Sequence, residues 1–188
     1  MYGLVNQAVE DLITERFGRD VWQAVRTRAG VSDAAFVRMT PYPDDVTYRL
    51  VGAASNHLGI PADQLLEAFG EYWTLYTGRE GYGELFVRGG RTFREFMLNL
   101  HALHSHVGAV FPDLRPPSFW CTEVHDDRLR LHYQSTREGL APMVIGLVRG
   151  LGRMFATQVE IHRLDRSPGD DHDQFDVHYR PMTGTPHA

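Results

Sequence analysis

The feature that most constrains this 188-residue chain is a change of hydrophobic period at a pair of prolines. Before it, apolar residues recur at helical spacing, and Leu4, Val5, Ala8, Val9, Leu12 and Ile13 share one face of a first helix. After a turn-rich stretch around Pro41–Asp45, residues 46–58 and 62–77 read as two more helices parted by Gly59 and Pro61. Arg79–Gly90 is glycine-rich and loop-like at both ends, and residues 91–110 form the most plainly amphipathic helix. Pro116 and Pro117 then stop any helix, because proline lacks the amide hydrogen and collides with the preceding turn. Beyond them Phe119–Val124 and Leu129–Tyr133 have the alternation of strands, with Asp126 and Asp127 as the turn. A helix over 140–155 carries Leu140, Val144, Leu147, Leu151 and Phe155 at helical spacing. Two final strands, Val159–Leu164 and Phe175–Tyr179, are joined by the polar run Ser167–Asp173, and the terminal TGTPHA is expected to fray. The pattern is that of an α+β domain, a helical N-terminal subdomain packed on a C-terminal antiparallel sheet with helices. One domain over 1–188 is expected, with its helical part at about 1–65 and the rest at about 66–182.

Charge and cysteine content remove several classes of function. The chain has 19 Lys and Arg against 24 Asp and Glu, a formal charge of -5, and no basic run to hold a nucleic-acid backbone. Its one cysteine, Cys121, excludes a disulfide framework within the chain and argues against a cysteine-based zinc site. Glu10, Asp11 and Glu15 interrupt the first apolar stretch, which is therefore no signal peptide. No apolar run approaches the ~18 residues of a membrane span. The expected setting is the cytoplasm, in contact with neither membrane nor nucleic acid.

The chemistry centres on FREFMLNLHALHSHV. At about 100° per residue, with Phe93 as zero, Met97 lies near ~40°, Leu100 near ~340° and Val107 near ~320°. His104 falls near ~20°, mid-stripe, while His101 sits at the edge near ~80° and His106 on the polar face near ~220°. A histidine facing the interior is either satisfied by a backbone carbonyl or binds something. Imidazole ligates both iron and zinc. Zinc wants three or four protein ligands, of which His101 and His104 supply two, whereas haem needs a single proximal histidine in an apolar pocket.

A second constellation is LHYQSTREG. Leu129, Leu131, Tyr133 and Ser135 share one face of an extended strand, and Arg137 follows if the strand persists. Phenol, hydroxyl and guanidinium are all donors, and the arginine fork matches carboxylates in pairs. The alternative is an ordinary strand end with an exposed arginine.

Taken together these residues resemble the H-NOX family, the haem nitric oxide/oxygen binding domains, whose motif is a proximal histidine, a proline thirteen residues on, then Y-x-S-x-R. His104, Pro117 and Tyr133-Gln134-Ser135-Thr136-Arg137 match it in order and spacing. MYGLVNQAV, VGAASNHLG, FGEYW, RPPSFWC and STREGLAPMVIGL extend the likeness along the chain, which is similar to cyanobacterial stand-alone members and to the sensor domain of animal soluble guanylate cyclase. The resemblance implies haem b between the helical and sheet halves, with His104 as axial ligand. It implies Tyr133, Ser135 and Arg137 on the propionates, and Pro117 pressing on the porphyrin. Val5, Val9, Trp73 and Met143 are the distal candidates it implies. The oxygen-binding members' distal tyrosine position aligns with Met143, or with Pro142 one residue earlier, and neither can donate a hydrogen bond.

The expectation is a sensor rather than an enzyme, binding nitric oxide and carbon monoxide at ferrous haem. With Ala188 as the last residue, its output is expected to reach a separate histidine kinase or cyclic-nucleotide or cyclic-dinucleotide effector through release of His104. The competing readings are a haem enzyme or nitric oxide scavenger, and a zinc-dependent hydrolase built on HALHSH. Trp73, Tyr72 and Tyr76 are the donors that would weaken an exclusion of oxygen.

Overall fold

The computed structural model describes residues 1–31, 35–79, 89–110, 114–167 and 169–182. In chain order the elements are α1 (Gly3–Phe17), α2 (Arg19–Ala29), α3 (Asp44–Leu58), α4 (Ala62–Arg79), α5 (Phe93–Val110), β1 (Ser118–Thr122), β2 (Arg128–Gln134), α6 (Ala141–Met154), β3 (Thr157–Arg163) and β4 (Asp173–Pro181). The strands form one antiparallel sheet in the order β1-β2-β4-β3. The fold is α+β, as the change of period implies.

Element ends follow local chemistry. Asp44 and Asp45 in the first turn suit the positive end of the helix dipole, so α3 begins inside the stretch that reads as a turn. Its far end is Gly59, whose left-handed φ of 67° closes the helix. At α5, the Thr92 hydroxyl accepts the Glu95 amide at 3.2 Å while the Glu95 carboxylate accepts the Arg91 amide at 2.8 Å. This variant of the capping box starts the helix at Phe93, two residues later than the periodicity implies. Arg79 and Gly89 are helical where the sequence reads as loop. Residues 80–88 and the terminal TGTPHA lie outside the described residues.

Two apolar cores result. One, built by α1–α4, holds Val9, Leu12, Ile13, Trp22, Val25, Leu50 and Phe69. The other fills the inner face of the sheet, where Phe93, Phe96, Met97 and Leu100 of α5 and Val144, Val148 and Leu151 of α6 meet Phe119, Leu131, Phe175 and Val177. Helix α6 serves both, since Met143 packs on the helical core. It reaches α4 at bare backbone: a Cβ added to Gly146 would lie 1.9 Å from the Glu67 carbonyl oxygen, and one added to Gly70 would lie 2.1 Å from that of Met143. Only glycine permits this approach.

Candidate functional site

His104 lies on the α5 face that carries the buried Phe93, Phe96, Met97 and Leu100. Its ring centroid is 4.9 Å from that of Phe119 on β1. Its Nδ1 lies 2.8 Å from the Leu100 carbonyl oxygen one turn back. A carbonyl can only accept, so Nδ1 carries the hydrogen and Nε2 keeps the lone pair. Burial pushes the imidazole pKa down, against the opposing Leu100 bond, and the ring is neutral at pH 7. A backbone carbonyl thus satisfies one nitrogen and fixes the direction of the ring. His101 and His106 are exposed.

The row continues from Phe119 to Tyr133, its cross-strand partner, with ring centroids 5.2 Å apart. Tyr133 is 5% exposed. Burial raises its phenol pKa, with a hydrogen bond to Ser135 and the charge of Arg137 opposing. β2 ends at Gln134, so the strand does not persist to Arg137. Instead the Arg137 amide donates to the Ser135 hydroxyl at 3.0 Å, a local turn that brings the guanidinium back. Its Nε donates to Asp44 Oδ2 at 2.9 Å and its Nη1 to the Arg115 carbonyl at 2.8 Å. Asp44 also holds the amino group of Met1. Burial of Asp44 works to raise its pKa, but the bonds from the amino terminus and Arg137 outweigh it and hold the carboxyl below its usual range.

Pro117 is half-buried just before β1. Its neighbour Pro116 lies against α5: a Cβ on Gly108, one turn beyond His104, would sit 3.0 Å from the Pro116 ring. Val9 is 4% exposed in the helical core, and Val5, Trp73 and Met143 pack partly buried against that core. Tyr72 directs its hydroxyl to Glu15 Oε1 at 3.1 Å and stacks on Tyr76. Its pKa is pushed far up, first by burial and then by Glu15.

The donor set fits a haem. It offers one neutral imidazole with its far nitrogen anchored, a phenol and hydroxyl in contact, and a guanidinium already holding a carboxylate, the group a propionate presents. Zinc would need more ligands, and among the described residues no three His, Cys, Asp or Glu side chains are grouped to hold a metal ion. Sequence reasoning missed Phe119, Asp44 and the Arg115 carbonyl. Asp44 carried a local signal, its place after Pro43 at a helix start, but nothing in the spacing pairs it with Arg137.

A family model described as Haem-NO-binding matches residues 2–163. The chain belongs to the haem-NO-binding family. Among curated relatives it is similar to soluble guanylate cyclase gcy-31 of Caenorhabditis elegans, 31% identical over 166 residues that cover 88% of this chain and 24% of the relative. The chain spans about a quarter of that relative's length. Two solved structures show the same fold. An H-NOX protein from S. oneidensis in the Fe(II)NO ligation state gives a TM-score of 0.84 at 20% identity, covering 96% of this chain and 99% of the other. A mutant H-NOX protein from K. algicida, Fe(II) and unliganded, gives 0.84 at 19% identity, covering 97% of this chain and 98% of the other.

Proposed function

We propose that residues 1–188 form a single haem-based gas-sensing domain that binds nitric oxide and carbon monoxide at ferrous haem b and signals to a separate effector by release of His104. The observation that carries this reading is the His104 ring, neutral and tied through Nδ1 to Leu100, with Nε2 left to ligate. The haem, when bound, supplies the ferrous centre that takes the gas. His104 would hold α5 to it, with the Leu100 bond keeping the imidazole aligned. Tyr133, Ser135 and Arg137 would hold the propionates, and Pro117 would press on the porphyrin. Val5, Val9, Trp73 and Met143 line the gas side, where Val5, Val9 and Met143 offer no hydrogen to a bound ligand. Oxygen, which gains from such a donor, is therefore disfavoured relative to the other two gases. The hydroxyl of Tyr72 is committed to Glu15, which supports that selectivity.

The domain is proposed to act in the cytoplasm on a histidine kinase or a cyclic-nucleotide or cyclic-dinucleotide enzyme. Among the described residues no helix is long and apolar enough to cross a membrane. The deciding measurement is the absorption spectrum of the reduced protein, alone and with each gas. A Soret band that moves with nitric oxide and with carbon monoxide, and no stable oxygen form in air, is expected. Colourless protein that takes up no added haem would refute the reading, and a lasting oxygen form would refute its selectivity.

A further inference from the structure

The outer face of the sheet carries a second constellation, distinct from His104 and Tyr133. Trp120 and His132 are direct cross-strand partners of β1 and β2, with ring centroids 5.0 Å apart and planes 7° from parallel. His172, just before β4, lies 4.9 Å from Trp120 and 5.1 Å from His132. A line of hydrogen bonds joins the group. Thr122 Oγ1 is 2.7 Å from His132 Nε2, His132 Nδ1 is 3.0 Å from His172 Nε2, and His172 Nδ1 is 2.9 Å from Asp171 Oδ1. His132 is 9% exposed and Trp120 38%.

We propose that these residues form a proton-operated latch that fastens the segment before β4 to β2 and opens in mild acid. Counting hydrogens shows how it works. With both rings neutral, His172 donates to Asp171, His132 donates to His172, and the Thr122 hydroxyl donates to His132. One added proton only reverses the chain: His172 now donates to Asp171 and to His132, and His132 donates to Thr122. Every bond survives. A second added proton puts hydrogens on both facing nitrogens, so donor meets donor and two like charges stand 3.0 Å apart. The contact must then break.

The surroundings set when that happens. Burial of His132, then the charges of His172 and Arg130, hold its pKa down, with Glu123 opposing. On β2, Arg130 is itself paired with Glu123 at 2.8 Å and with Asp176 of β4 at 3.0 Å. Gln134 donates to Asp171 at 2.8 Å, and Gln174 of β4 is the uncharged cross-strand partner of His132. On the segment before β4, Asp170 accepts the Ser167 amide, and Asp173 is occupied by Arg163 and Arg166. These surroundings disfavour a charge on His132, so the latch holds at neutral pH. Opening releases the segment before β4 from His132 of β2 and from the Trp120 ring, while β1 stays paired with β2. The inference stands on the sheet alone and does not require the haem reading.

The test is hydrogen exchange read by mass spectrometry on the purified protein as isolated, from about pH 7.5 to about pH 5, corrected for the intrinsic pH dependence of exchange. In the wild type, exchange across 169–174 should rise roughly tenfold for each pH unit once the second proton binds. His172→Gln keeps hydrogen-bonding capacity at the contact but cannot take the second proton, and its exchange should stay flat. Imidazole nitrogen shifts of His132 in the wild type provide a check that needs no variant: they should change over the same pH range as the exchange across 169–174. A flat wild-type profile, an acid step that persists in His172→Gln, or His132 shifts that change apart from the exchange would each overturn the proposal.

Discussion

The Nε of Arg137 donates to Asp44 Oδ2 at 2.9 Å across 93 positions of sequence. This bond joins the start of α3 to the turn after β2, and Tyr48 reinforces it by donating to the Glu138 carbonyl at 2.9 Å. The folded pKa of Asp44 lies below its unfolded value of 3.8, so the folded state binds fewer protons there. Its stabilising contribution is complete above the unfolded value and is lost as pH falls through the lowered folded value. Asp44→Asn should flatten that part of the acid unfolding curve, measured by circular dichroism against pH, while leaving the neutral-pH fold intact.

His104→Gly should lose haem, or retain it only with free imidazole supplied. His101→Gly and His106→Gly should retain it, because both side chains are exposed. The Soret absorbance of purified protein reads the result directly. Full retention in His104→Gly without imidazole would contradict the ligand assignment.

Arg137→Ala removes charge-assisted bonds of about 1.5–3 kcal/mol and should speed haem transfer to a haem-accepting globin accordingly. Ser135→Ala in the same protein should add to the effect, since the Ser135 hydroxyl fixes the Arg137 backbone. A wild-type transfer rate in the double variant would show that neither residue holds the propionates.

Gly146→Ala should destabilise the protein by about 1–3 kcal/mol, the usual cost of overpacking, because the new methyl meets a backbone carbonyl rather than a movable side chain. Gly52→Ala, mid-helix in α3 with nothing within 4 Å of the added methyl, should instead stabilise by about 0.5–1 kcal/mol. Denaturant midpoints of the two variants should move in opposite directions.

The fold class was legible because it rests on periodicity, a local property. Most elements stand near where apolar spacing puts them, but α2 was not read as a helix of its own, and ends moved by a few residues; at α3 and α5, Asp44 and the Thr92–Glu95 pair decide the boundary. His104 stood out on its stripe for the same reason. What stayed hidden was non-local or broke a regular pattern. Strand parity extends Ser135 and Arg137 along β2, but the strand stops at Gln134 and a side-chain turn takes over. No spacing rule pairs Arg137 with Asp44. A glycine inside a helix reads as a weakness, so Gly70 and Gly146 gave no hint that two backbones meet there.

That meeting has a mechanical consequence. Side-chain layers act as lubricant between helices, because rotamers yield and let one element slide over the next. At Gly70 and Gly146 there is no such layer. Helix α6 also carries Val144, Val148 and Leu151 of the sheet core, so α4 and α6 behave as a bolted joint between the two halves of the molecule. A displacement of α6 therefore meets α4 backbone to backbone at these two glycines, with no rotamer there to absorb it.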